Sequence, residues 1–166
     1  MKTDHEKRAC ELFSSGCNCA QAVLTAFSDV TGLDEETSMR ISSSFGAGMG
    51  RMREVCGTCS GMFMAAGLLY GLSPGFDDRE KAAHYARIQE LAAQFKEEHG
   101  SLICRELLKG LKVTSTPTPD ARTEEYYKVR PCIRFVRTAV RILEKYLAEH
   151  PVSNTGYDKK GGGGHV

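Results

Sequence analysis

The sequence predicts an all-α protein, a single-domain bundle of about six or seven helices. Three observations carry this expectation. Apolar residues recur at spacings of three and four, and no convincing run alternates apolar with polar residues. Capping-box spacing recurs, with Asn18 ahead of Gln21 and Asp77 ahead of Glu80. Gly16, Gly32, Gly71 and Gly100 stand where periodic segments stop. At 166 residues the chain suits one domain with a real core, and 41% apolar with 26% charged residues is an ordinary soluble mixture. The domain is expected over 1–151. Residues 152–166, which include "YDKKGGGGHV", read as a disordered glycine-rich tail.

The elements follow in order. The first amphipathic helix is expected over Lys2 to Ser15, with Ala9, Leu12 and Phe13 inward and Gly16 as its end. A second begins after Asn18, with the stripe Cys19, Val23, Ala26, Phe27 and Val30, and stops at Gly32. Asp34 caps a third, whose first turn holds Glu35 and Glu36 where the helix dipole favours acids. "SSSFGAGMGRMRE" carries three alternate glycines and reads as a loop. A helix then runs from near Cys56 to Tyr70, and a longer one from Asp77 to about His99, with Ala82, Ala83, Ala86, Leu91 and Phe95 as core contacts. A short helix is expected from Leu102 to Leu108, with Ser101 as a candidate cap. "VTSTPTPDART" reads as a connector without a core of its own. Pro131 opens the last helix, striped by Cys132, Val136, Ala139, Val140, Leu143 and Leu147 and ended by Pro151.

A formal net charge of +1 gives no basis for nucleic acid as a partner. The N-terminal residues are too polar for a secretory segment, and the apolar run Gly61 to Leu72 is too short to span a bilayer. No membrane insertion and a cytoplasmic location are therefore expected, where thiols stay reduced.

The outlying feature is seven cysteines: Cys10, Cys17, Cys19, Cys56, Cys59, Cys104 and Cys132. An odd set in a reducing compartment points to redox or metal chemistry more than to a static disulfide scaffold. Buried cysteine as a small hydrophobe explains one or two of them easily and all seven poorly. Four share a position type. Cys19 follows an N-cap, Cys56 lies at a helix start, Cys104 is three residues past Ser101, and Cys132 follows Pro131. Free backbone N–H groups at helix starts, with Arg51, Arg53, Arg105, Arg130 and Arg134 near in sequence, favour thiolates there. Cys19, Cys104 and Cys132 also fall on apolar stripes, so they are expected to point inward.

Cys56 and Cys59, three apart on a helix, share a face and can close a disulfide or offer two metal ligands. Without a strand–turn–helix pattern or a second Cys-x-x-Cys, neither a thioredoxin-like fold nor a zinc ribbon is expected. Gly57 and Gly61 read as sites of close backbone approach, able to crowd a second cysteine against Cys56. "FGAGMGR" lacks the strand and the Gly-Lys-Ser/Thr ending of a phosphate loop. It reads instead as a tight loop, with Gly48 and Gly50, that lays backbone donors and Arg51 beside the sulfurs. His5, His84, His99, His150 and His165 show no metal-pair spacing and read as surface residues. Met49, Met52, Met62 and Met64 read as packing.

"SGCNCAQAVLTAF", "FGAGMGRMREVCGTCSGMFMAAGLLYG", "SLICRELL" and "RPCIRFVRTAV" resemble the four cysteine blocks of the C-GCAxxG-C-C family of redox-active proteins, across about Cys10 to Leu147. The resemblance places the family cysteines at Cys19, Cys56, Cys104 and Cys132, the same four singled out by helix starts. Cys10, Cys17 and Cys59 look like additions, and Thr58 stands where Ala is usual.

The leading expectation is thiol–disulfide exchange or electron transfer at one partly shielded four-cysteine site. Cys56 attacks, Cys19 resolves with Cys59 as a local substitute, and Cys104 with Cys132 passes electrons on or a redox partner protein takes them. The alternative is a binding module in which Cys19, Cys56, Cys104 and Cys132 hold an iron–sulfur cluster or zinc. The third reading is a helical interaction protein with buried cysteines. A homodimer is compatible with an apolar helical surface, although no heptad seam argues for one.

Overall fold

The computed structural model describes residues 4–152, so the expectation of a disordered tail lies, from residue 153 onward, outside the described residues. Asp4 caps α1 (His5–Ser14) by accepting from the Lys7 N–H. Asn18 and Gln21 form the full capping box of α2 (Cys19–Ala26). Phe27 breaks the expected longer helix, and α3 (Ser28–Thr31) ends at a left-handed Gly32. Asp34 caps α4 (Glu35–Ser42) as read from sequence. A 3₁₀ turn (Ser43–Phe45) and the single turn α5 (Gly46–Met49), whose Ala47 and Gly48 have left-handed backbone, make up the glycine loop. Then come α6 (Gly57–Tyr70), α7 (Asp78–His99), α8 (Cys104–Leu107), α9 (Glu124–Val129) and α10 (Cys132–Glu149). Among the described residues the only β-type pairing is one antiparallel bridge, Val55 with Ile103, and no helix is long and apolar enough to cross a membrane.

The centre is the crossing of α2 with α6. Helices α1 and α4 pack on α2, while α10 lies against α1, α2, α6 and α7. Five of the six α10 stripe residues are buried, as are Val23 and Ala26 of α2 and its C-cap Phe27. The α2–α6 approach is set by glycine. A Cβ at Gly61 would meet the Ala20 carbonyl oxygen at 2.8 Å and Val23 Cβ at 3.0 Å, closer than packed atoms allow.

Several expectations are corrected here. Ala82, Ala83 and Ala86 are exposed and Val30 is largely so. The 22 residues of α7 extend about 33 Å, well beyond the 14-residue α6, so its first half overhangs the bundle. Helix α7 is docked by Arg87, which donates to the Tyr146 hydroxyl and stacks on Tyr70, and further along by Leu91 and Phe95. His5 is not a surface residue. It is buried, stacked on Phe27, and bridges Asp29 (3.0 Å) and Glu144 (2.9 Å), tying α1 to α3 and α10. His99 also turns inward, against Phe95, Phe135 and the Thr138 hydroxyl. Helix α9, capped by Thr123, was absent from the sequence reading.

Gly61→Ala should lower stability by about 1–3 kcal/mol through overpacking at the crossing. Gly67→Ala, with open space where its Cβ would lie, should raise it by about 0.5–1 kcal/mol through helix propensity. Urea unfolding of both variants checks the pair, and equal midpoints would remove the close crossing.

Candidate functional site

Each of the four selected cysteines stands at a helix start. Cys19, Cys104 and Cys132 are the first residues of α2, α8 and α10, and Cys56 is the N-cap of α6. Ser101 is not the cap of α8, which is Ile103. Its hydroxyl accepts from the Ile103 N–H and donates to Glu106. Two of the starts are locked together by backbone. The Cys56 N–H donates to the Leu102 carbonyl at 2.7 Å, the Cys104 N–H to the Glu54 carbonyl at 2.7 Å, and the Arg105 N–H to the Arg53 carbonyl at 3.1 Å. Outside this pairing, Arg105 and Glu54 join through two hydrogen bonds in a fork geometry.

The glycine loop brings in the others. Ala47, Met49, Arg51 and Arg53 all have positive φ, as do Gly48 and Gly50. Left-handed backbone costs roughly 1–3 kcal/mol at each non-glycine position, so a run of four persists only where the surroundings hold it. Here the Glu54 N–H donates to the Gly48 carbonyl, and the Arg51 N–H to the Gly46 carbonyl. A Cβ at Gly48 would stand 2.7 Å from Cys104 Cβ and 2.7 Å from the Glu54 nitrogen. One at Gly57 would stand 2.9 Å from the Phe45 carbonyl oxygen and 3.2 Å from Cys19 Cβ. Glycine at 57 therefore admits Cys19 beside the start of α6, as its sequence position suggested.

Cys19, Cys56, Cys104 and Cys132 line one cavity of about 310 Å³. All seven cysteines are free thiols. Cys56, Cys104 and Cys132 are 4%, 6% and 9% exposed, and Cys19 is more open. Cys59 is fully buried, three residues past Cys56 in the first turn of α6. Cys10 and Cys17 lie elsewhere, beside Arg137 and Met39 respectively.

The connector, which has no core of its own, walls the cavity with Pro117, Pro119 and Asp120. Arginines strap it down. Arg51 donates to the Thr116 carbonyl, the Thr114 hydroxyl and Asp120, and Arg53 donates twice to the Thr114 carbonyl. Gly50 and Arg51 do line the cavity, but the guanidinium that reaches a sulfur belongs to Arg53, whose Nη1 lies 3.9 Å from Cys104 Sγ. The loop donor that meets a sulfur is the Ala47 N–H, on Cys19. Arg53 was visible in the sequence only as a neighbour of Cys56, and the connector carried no sulfur to mark it.

The four thiols are not equivalent. Cys56 is brought down to about 7, first by the hydrogen bond from the Cys59 thiol and then by Thr58, whose hydroxyl lies 3.1 Å away, against the opposing effect of burial. Its proton partner Cys59 is pushed up by that same bond and by burial. Burial, reinforced by the Cys56 charge, pushes Cys19 up to about 12 although the Ala47 N–H and Arg122 oppose it. Cys104 is raised by burial and then the Cys56 charge, against Arg53. Cys132 is raised by burial and then by its neighbouring cysteines, which disfavour a further negative charge in the cavity, against Arg130. The expectation that all four helix starts favour thiolates is thus corrected. Desolvation outweighs helix-start and cationic stabilisation at three of them, and only Cys56 gains a sufficient local donor set.

The metal-ligating alternative needs donors converging on a point. Among the described residues no group of three or more His, Cys, Asp or Glu side chains is arranged to hold a metal ion. The thiols line a cavity and do not form a closed ligand set.

A family model described as "Putative redox-active protein (C_GCAxxG_C_C)" matches residues 17–146. No curated protein and no solved structure in the comparisons matches the chain.

Alkylation of Cys56 in the reduced protein should follow a thiolate titration with a midpoint near pH 7, slowing as pH falls below it. Cys59→Ala removes the donor and should move the midpoint up by about 1–2 pH units, the size of a hydrogen bond to a charged group. An unchanged midpoint would refute the Cys59 donor.

Proposed function

The chain belongs to the family described as "Putative redox-active protein (C_GCAxxG_C_C)", and from that premise we propose that it carries out thiol–disulfide exchange at the cavity thiols, with Cys56 as nucleophile. The observation that carries this reading is one ionisable thiol, Cys56, set among three neighbours held protonated in the same cavity. Thiolate, not thiol, attacks a disulfide sulfur, and a thiol with pKa near ambient pH is the best compromise between ionisation and nucleophilicity.

In the first step Cys56 Sγ attacks one sulfur of a disulfide RSSR. A Cys56–S–S–R mixed disulfide forms, the substrate S–S bond breaks, and RS⁻ departs. This consumes the Cys56 charge, which is one of the causes holding Cys19 protonated. The Cys19 thiol is then easier to ionise, and its proton passes to the departing RS⁻. Among the described residues no two cysteines stand at disulfide distance, so a local shift first carries Cys19 onto Cys56; Cys19 then attacks Cys56 Sγ, closes a Cys19–Cys56 disulfide and releases the second RS⁻. Two electrons have moved from the two cysteines to the substrate. A dithiol reductant, acting directly or through Cys104 and Cys132, restores the thiols. Cys59, whose proton is tied to Cys56, is a donor in the resting state and a substitute resolving thiol.

The reduced protein should convert a small disulfide to thiol in the presence of a dithiol reductant. Cys56→Ser should bring the rate to the uncatalysed background, and Cys19→Ser should accumulate a mixed disulfide on Cys56, read by intact mass and peptide mapping. Wild-type rates in Cys56→Ser with native circular dichroism would overturn the reading in favour of buried structural cysteines. Stoichiometric metal after anaerobic purification would favour cluster or zinc binding instead.

A further inference from the structure

We infer that the molecule entering this cavity is a small anionic disulfide, one carrying carboxylate or similarly charged groups beside its S–S bond, and not the disulfide of a folded protein. The inference rests on the thiol-exchange reading above and specifies the substrate class. Three observations lead to it.

The first is access. With Cys56, Cys104 and Cys132 almost wholly buried and the arginine-strapped connector forming part of the wall, a disulfide fixed in a folded chain is poorly placed to bring its sulfur to Cys56 Sγ. A cavity of about 310 Å³ is at the small end of ligand pockets. It suits a low-molecular-weight disulfide whose S–S bond is free to turn.

The second is charge. Four guanidinium groups line the cavity, from Arg51, Arg53, Arg122 and Arg130, against the single carboxylate of Asp120. That carboxylate is shared: Arg130 lies 2.8 Å from it, Arg51 3.2 Å and Arg53 4.0 Å. Among the described residues no carboxylate pairs with Arg122. Its Nη2 donates to the Cys17 carbonyl, its Nη1 is buried without a hydrogen-bond partner, and its plane stacks on Phe13, Tyr126 and Tyr127. A guanidinium without a carboxylate partner, held by aromatic rings beside a concave surface, concentrates anions.

The third is that the thiols do not need this much positive charge. Cys56 is ionised by its Cys59 and Thr58 donors, with no arginine among the leading causes. The three thiols that the arginines do face stay protonated near neutrality. Even with Cys56 charged, the lining keeps a cationic surplus. That surplus favours an anionic substrate on entry and the extra negative charge of RS⁻ on departure.

The test uses the full-length reduced protein and three disulfides of like size: 3,3′-dithiodipropionate (anionic), 2-hydroxyethyl disulfide (neutral) and cystamine (cationic). Each rate is divided by that of the same disulfide with free 2-mercaptoethanol. The anionic disulfide should be favoured over the neutral one by about tenfold or more at low ionic strength. The preference should shrink with added salt, and the cationic disulfide should be slowest. Arg122→Gln should reduce the anionic-to-neutral ratio, and Arg122→Lys should retain most of it. Equal normalised rates for all three wild-type reactions would overturn the inference while leaving thiol exchange standing. So would a disulfide-bonded protein that is reduced faster than the anionic probe. No Cys56-dependent reaction with any disulfide would overturn the exchange reading itself.

Discussion

The site depends on a short piece of antiparallel backbone pairing, the stretch 53–56 against 102–105. It holds the start of α6 against the start of α8 through hydrogen bonds of 2.7 to 3.1 Å. Cys56 and Cys104 stand at those starts, so main-chain geometry brings together two sulfurs separated by almost fifty residues of sequence. The left-handed run from Ala47 to Arg51, with Arg53 beyond it, then folds the glycine loop onto the pair, and its strain is held by bonds to the same backbone. Cys19 enters from the other side because Gly57 leaves room for its Cβ.

Within that frame, local hydrogen bonding and desolvation divide the sulfurs into unlike roles. Burial alone would keep all four thiols protonated and inert. Cys56 escapes because Cys59 and Thr58 give it donors at close range, and its charge in turn helps to hold its neighbours protonated. The arrangement favours sequential over simultaneous ionisation, which suits an attack followed by a resolution. The arginines act mainly on shape and field. Arg51 and Arg53 fasten the connector as a wall, and Arg122, held against three aromatic rings, adds positive charge beside the cavity.

Where the sequence reading missed, the signal was present in some places and missing in others. His5 is four residues before Ala9 and eight before Phe13, so it lies on the buried face of α1. His99 likewise follows Leu91 and Phe95 at four-residue steps. Treating histidine as polar hid a periodicity that was legible. The exposure of Ala82, Ala83 and Ala86 was not legible, because an alanine fits either face and the overhang depends on how long the neighbouring helix is. The composition of the connector gives it no core and nothing that marks it as part of a site. Its role comes from arginines some sixty residues earlier in the chain that donate to its carbonyls.

The sequence by itself determined the helices, most of their caps, and the placing of four cysteines at helix starts, because capping, glycine termination and apolar spacing are local interactions written within a few residues. It also determined where backbones come close, since Gly57 and Gly61 have no other evident use on a buried helix. Only the tertiary structure decided that the four sulfurs share one cavity, that Cys56 alone is poised to ionise, and that Arg53 and Arg122 belong to the site. Those properties follow from desolvation and from donors contributed by remote segments, and both are set by how the chain packs, not by what lies next to each cysteine in the sequence.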